Sequence, residues 1–187
     1  MDRLATFASS NEHKLRELQH LLPGWELELL GAATFPPEEG DSYYENARAK
    51  ALFGRGLADP KRWVLGEDSG VEIEALGGGP GVRSARWAAG EEAERALAEL
   101  RGVEGEGRRA RYVCELVAFS PEGTEHRGTG TLEGRIAGEP RGTAGFGFDP
   151  VFVPEGEERT VAELGNEWKR DNSHRAKAAR ALLAGLG

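Results

Sequence analysis

The stretch from Leu4 to Leu22, LATFASSNEHKLRELQHLL, constrains the fold more than any other part of the chain. A short apolar run meets a small polar turn and then a helical pattern with leucines at positions 15, 18, 21 and 22. A buried strand feeding an amphipathic helix is the building unit of α/β folds. Pro23-Gly24 stops that helix, and WELELL alternates as a second strand. The pattern then repeats. Residues 41–60 predict a helix with Ser42 as its N-cap and Glu45 as the capping-box partner. RWVLGED (62–68) reads as a strand and GEEAERALAEL (90–100) as a helix. From Arg108 the material changes to a hairpin, two alternating runs around the turn Ser120-Pro121-Glu122-Gly123. DPVFVP (149–154) is a short strand, TVAEL (160–164) a helical turn, and SHRAKAARALLAGL (173–186) a closing helix capped by Ser173. The expectation is one mixed α/β domain over residues 1–187, two-lobed, with a long antiparallel excursion and an active-site cleft between the lobes.

Composition narrows the function. The chain has 187 residues and a formal net charge of −8, with a pI near 5.2. A nonspecific nucleic-acid binder needs a basic field to displace counterions, so no polymer of that kind is an expected partner. A small anion remains open to it wherever cations gather locally. The single cysteine, Cys114, lies in the apolar run RYVCELVAF and reads as strand core. No apolar leader opens the sequence, and no run of about eighteen apolar residues occurs, so the expected location is cytoplasmic and no membrane partner is expected.

Three groups of residues carry chemistry. Ser9, Ser10, Asn11, Glu12, His13 and Lys14 occupy the first strand-to-helix turn, where backbone N–H groups and a lysine suit a phosphate. Acids cluster in PPEEGDSYYENA and GEDSG, where carboxylates next to a strand, beside Gly and Ser, can reach a divalent cation and an acid close to it can orient or deprotonate water, while Glu39, Asp41 and Glu72 read as acidic surface turns. Mg²⁺ bound partly through substrate phosphates needs only one or two such carboxylates. The third group is GFGFDP followed by NEWKRDNSHR: Phe148 offers a flat face for a nucleobase, Asp149 accepts hydrogen bonds, and Lys169, His174 and Arg175 donate them.

Taken in order, SSNEHKLREL, EEGDSYYENARAKA, EDSGVEIEALGGGPGVRSARWAAG, GFGFDPVFVP, TVAEL and SHRAKA resemble the inosine triphosphate pyrophosphatase family, the noncanonical purine nucleoside triphosphatases. The resemblance covers nearly the whole chain. It implies an elongated mixed sheet flanked by helices, a homodimer, and Mg²⁺-dependent hydrolysis of ITP, dITP or XTP to the monophosphate and pyrophosphate. It further implies that Ser9 to Lys14 hold phosphate, Glu38 binds metal, and Asp68 is general base or metal-linked acid with Ser69 touching substrate. Phe146, Gly147, Phe148, Asp149, Lys169, His174 and Arg175 would enclose the nucleotide, the last two near the base edge. Glu67 stands where the family more often has Asp, which leaves its role open, as are those of Arg83 and Arg86. Two other readings remain: a Maf-like pyrophosphatase acting on pyrimidine or modified nucleotides, and a noncatalytic nucleotide sensor.

Overall fold

The computed structural model describes residues 3–88 and 90–186; Ala89, in the W-A-A-G end of the glycine-rich stretch, and the extreme terminal residues lie outside them. The strand–turn–helix unit forms as β1 (Arg3–Phe7), α1 (Glu12–Leu21) and β2 (Trp25–Leu29), with β1 and β2 parallel and Arg3 opposite Trp25. Helix α2 (Tyr43–Arg55) begins at the expected capping box: Ser42 Oγ accepts from the Glu45 N–H, and the Glu45 carboxylate accepts from the Ser42 N–H. Strand β3 (Trp63–Ile73) pairs in parallel with β1 and does not end at Asp68, as the sequence suggests, but continues through Ser69–Ile73. Val71 and Ile73 explain the extension, since both bury fully and draw that half of the strand into a core.

After β3 the chain turns through left-handed Gly77 and Gly78, with φ of 61° and 86°, a conformation that disfavours any residue with a side chain. Then follow β4 (Gly79–Pro80), antiparallel to β3, α3 (Ser84–Ala88), α4 (Glu92–Glu99), β5 (Arg109–Phe119) and β6 (Glu125–Ile136). The turn between β5 and β6 closes where expected, with the Ser120 N–H donating to the Thr124 carbonyl. Strand β7 (Phe152–Pro154), helix α5 (Val161–Asn172), interrupted at Gly165, and helix α6 (His174–Ala184) complete the chain. The strand order is β2-β1-β3-β5-β6-β7, with β4 beside β3. The architecture is the expected mixed α/β sheet with helices, and no helix among the described residues is long and apolar enough to cross a membrane.

Contacts divide the chain into two compact units, one of residues 3–68, 114–130 and 175–186, the other of 69–113 and 131–174. In the first unit the strands are covered on both faces. Phe7, Leu65, Cys114 and Leu116 pack with Leu18 and Leu22 of the α1 segment and Ala178 and Leu182 of α6. Val117 and Phe119 face the other way, onto Ala47 and Ala51 of α2. Consecutive residues of β5 thus serve opposite cores, as the period of two requires. In the second unit Val71, Ile73, Tyr112 and Leu132 pack with Ala93, Ala96 and Leu100 of the α4 segment and with Phe148 and Phe152. That unit also has a charged hollow of about 710 Å³ lined by Glu72, Arg109, Arg111, Glu133 and Arg135, which contains none of the expected site residues.

Two helices of the first unit approach their strands through glycine. A Cβ on Gly66 would lie 2.0 Å from the Ala47 carbonyl oxygen of α2, and one on Gly128 would lie 2.1 Å from the Ala178 carbonyl oxygen of α6. Helix backbone cannot yield as a flexible side chain does. Gly66→Ala and Gly128→Ala should therefore each cost about 1–3 kcal/mol or more through overpacking, whereas Gly31→Ala, with nothing near its Cβ position, should be neutral. Thermal melts of the three variants check this, and equal melting temperatures for all three would contradict it.

Candidate active site

Neighbouring residues of a strand point to opposite faces of the sheet. Strand β3 applies that rule to two adjacent carboxylates, Glu67 and Asp68. Glu67 turns toward α1 and α6 and is 1% exposed. Its Oε2 pairs with Lys14 Nζ at 2.6 Å, and its Oε1 accepts from Arg175 Nη2 at 3.0 Å and from Cys114 Sγ at 3.4 Å. Arg175 also pairs with Glu17, three residues beyond Lys14 on α1. Lys14, Glu67, Arg175 and Glu17 therefore form a circuit of alternating charge. Burial alone would raise the Glu67 pKa, but Lys14 and Arg175 outweigh it and hold the carboxyl well below its usual range. Burial pushes the Cys114 thiol well up, so that sulfur stays protonated.

Asp68 turns the other way, toward α2, and is 3% exposed. Its Oδ1 accepts from Lys50 Nζ at 2.9 Å and its Oδ2 from Asn46 Nδ2 at 3.2 Å. Asn46 and Lys50 share one face of α2 because they are four residues apart. Lys50 also pairs with Glu38 and donates to the Glu67 carbonyl at 3.1 Å. The loop that carries Glu38 is tied to the same helix, since Asn46 Oδ1 accepts from the Gly40 N–H at 2.9 Å. Burial raises the Asp68 pKa despite the nearby Lys50. Burial would lower Lys50, yet Asp68 and Glu38 together raise it. The two acids read as metal ligands from the sequence thus meet, on a lysine that the sequence reading overlooked. Its signal was the Asn46–Lys50 spacing in ENARAKA, which begins at Glu45, five positions beyond the glycine of E-x-G.

The turn before α1 is built around Asn11, whose Oδ1 accepts from the His13 and Lys14 N–H groups at 2.9 and 3.1 Å. Ser9 Oγ accepts from the Asn11 N–H at 3.0 Å. Ser10, Glu12 and His13 are exposed, with His13 beside Arg16, while Lys14 reaches the acid cluster through Glu67. Arg83 and Arg86 are exposed; Ser84 between them accepts from the Val71 N–H at 2.9 Å and fixes that segment to β3.

A separate cluster in the second unit centres on Asp149. Its Oδ2 accepts from Lys169 Nζ at 2.7 Å and from the Phe146 N–H at 2.9 Å, while its Oδ1 accepts from the Tyr112 hydroxyl at 3.0 Å. The loop closes around this carboxylate only because Gly145 has no side chain: a Cβ there would sit 2.0 Å from Asp149 Oδ2. Tyr112 stacks on His174, with ring centroids 4.3 Å apart and planes inclined by 5°. The expected stacking platform needs correcting. Phe148 is 4% exposed and packs between Trp87 and Tyr112 as core, whereas Phe146 is half-buried with Lys169 Nζ 4.9 Å from its ring centre. Gly147 and Ser69 are also half-buried. Arg175, expected at a base edge, has its guanidinium engaged by Glu67 and Glu17.

An α/β sheet presenting paired acids beside lysines and a polar strand-to-helix turn is the form of a phosphate-handling protein, and comparison narrows the class. The chain belongs to the Ham1 family, whose profile matches residues 5–185. It is 44% identical to a dITP/XTP pyrophosphatase of Symbiobacterium thermophilum over 96% of this chain and 92% of that one. It is 42% identical to a dITP/XTP pyrophosphatase of Deinococcus radiodurans, covering 99% and 94% of the two. Among solved structures, the Ham1 protein of Staphylococcus aureus superposes with a TM-score of 0.82 at 31% identity, over 98% of each chain.

The Glu67 circuit makes stability depend on pH in a definite direction. Because the folded pKa is depressed, the stabilisation is complete above the unfolded value of about 4.3 and is lost as pH falls through the folded value. Breaking such a buried pair costs about 3–5 kcal/mol. Glu67→Gln should therefore melt well below wild type near neutrality, and the gap should narrow in acid below about pH 4. Parallel melting curves across that range would contradict the assignment.

Proposed function

We propose that the chain hydrolyses noncanonical purine nucleoside triphosphates, dITP, XTP and ITP, to the nucleoside monophosphate and pyrophosphate, clearing them from the nucleotide pool. The observation that carries this reading is the convergence of Glu38 and Asp68 on one cation, next to lysines and the turn before α1. The relatives' names and the resemblance supply the substrate class.

In this reading Ser9 to Lys14 and Lys50 take the phosphates, with Lys14 and Lys50 as point charges. Asp68 accepts the proton of the attacking water. Its raised pKa suits it to that task, and Asn46 holds the carboxylate in place. Glu38 and Asp68 are the ligands for Mg²⁺. Two carboxylates drawn together around a resident positive charge fit that ion, which binds through few carboxylates and substrate phosphates. Once bound, Mg²⁺ supplies neutralisation of the phosphate charge. Base recognition falls to the Asp149 cluster, with Phe146 rather than Phe148 as the aromatic face and His174, braced by Tyr112, as a polar contact. Ser69, Gly147 and Lys169 complete the substrate contacts, and Arg175 serves as the counterion of Glu67. A homodimer belongs to the same reading and rests on the resemblance, and a cytoplasmic location is carried over from the expectation the sequence raised.

Asp68→Asn should leave the fold intact while lowering turnover by about two to four orders of magnitude, the scale of a lost general base, and the KM for dITP should rise because a Mg²⁺ ligand is lost with it. Pyrophosphate release with excess Mg²⁺ measures it, and chelation by EDTA should abolish the wild-type reaction. Undiminished turnover would remove Asp68 from the chemistry.

A further inference from the structure

Glu38 and Asp68 hold two negative charges at one point, with side chains 21% and 5% exposed. So placed, they repel one another unless a cation stands between them, whether or not a metal is present. Lys50 fills that requirement. Its three ammonium donors meet three oxygens, those of the Glu38 carboxylate, Asp68 Oδ1 and the Glu67 carbonyl. The ammonium rides on a flexible four-carbon stem from a rigid helix, so it can leave without moving α2.

We propose that Lys50 is a resident cation that a divalent metal must displace, so that metal entry and release of the Lys50 ammonium are one exchange. The proposal rests on the assignment of Glu38 and Asp68 as metal ligands. The released ammonium gains phosphate oxygens only when a triphosphate is present. A divalent ion alone therefore meets a lysine with nowhere better to go, and it binds weakly. With a triphosphate, both cations find partners, and metal and nucleotide binding reinforce each other. The site thereby resists loading by metal before its substrate arrives.

Titration of the full-length protein with Mn²⁺ in the absence of nucleotide, counting free Mn²⁺ by electron paramagnetic resonance, tests the exchange. Lys50→Met and Lys50→Gln should bind Mn²⁺ about tenfold more tightly than wild type, or better still, because the competing charge is gone. Lys50→Arg, which keeps the charge, should bind as weakly as wild type. Melting temperature provides a second readout: the neutral variants should be destabilised in EDTA and restored by Mn²⁺, while wild type should respond little. Adding Glu38→Gln to either neutral variant should erase the gain. Mn²⁺ affinity that is unchanged or weaker in the neutral variants, or a gain that survives Glu38→Gln, would overturn the exchange. Divalent-independent turnover by wild type would instead overturn the underlying metal assignment, so the two failures are distinguishable.

Discussion

Everything distinctive about this site follows from the pleat of β3 at Glu67 and Asp68. Two adjacent carboxylates in a loop would share one environment and compete for the same cations. In a strand they face opposite ways, so each acquires its own partners: Lys14 and Arg175 for Glu67, Lys50 and Asn46 for Asp68. The same geometry separates their chemistry. Glu67 is locked as a permanent anion by two charges, whereas Asp68, with burial as its dominant influence, is lifted toward the strength of a base.

The helices on either side must come close for this to work, and small residues permit it. Gly66 lies one residue before Glu67 on the Asp68 face and lets α2 settle with Ala47 and Ala51 against the strand. On that same helix Asn46 and Lys50 then meet Asp68 directly. On the other face Lys14 and Glu17 of α1 clamp Glu67 and Arg175, so the turn that begins at Ser9 is anchored by charge as well as by the Asn11 cap. With water largely excluded, these pairs are screened little by salt. Binding an anion near Lys14 therefore acts on a lysine already committed to a carboxylate, and its pull on phosphate is moderated by Glu67.

Local signals were legible where the sequence itself supplies both partners. Ser42 and Glu45 form their capping box, the turn at Ser120–Thr124 closes as expected, and the alternation of strand and helix appears in order. What escaped the sequence depends on distant chain. The strand read over 62–68 already holds both acids, so their opposite facing was legible; the partners of each were not, nor was the continuation to Val71 and Ile73, which glycine, acids and serine part from Leu65. Phe146 and Phe148 alternate in G-F-G-F-D with nothing local to say which is core; Trp87 and Tyr112 decide it. Tyr112 sits in an ordinary strand pattern and only its partners mark it, while the Asn46–Lys50 spacing puts Lys50 on a face with Asn46 but does not say which acids it meets.

The central claim is that this chain hydrolyses noncanonical purine triphosphates, and a substrate panel with Mg²⁺ tests it most directly. Pyrophosphate release should be followed as kcat/KM for dITP, XTP, dATP and dCTP. A site built to hydrogen-bond a 6-keto base can reject its mismatched analogues by several orders of magnitude, so dITP and XTP should exceed dATP and dCTP by at least about a hundredfold. Preference for dCTP would point to a pyrimidine-directed enzyme, and tight binding of dITP without pyrophosphate release to a sensor; either would contradict the account.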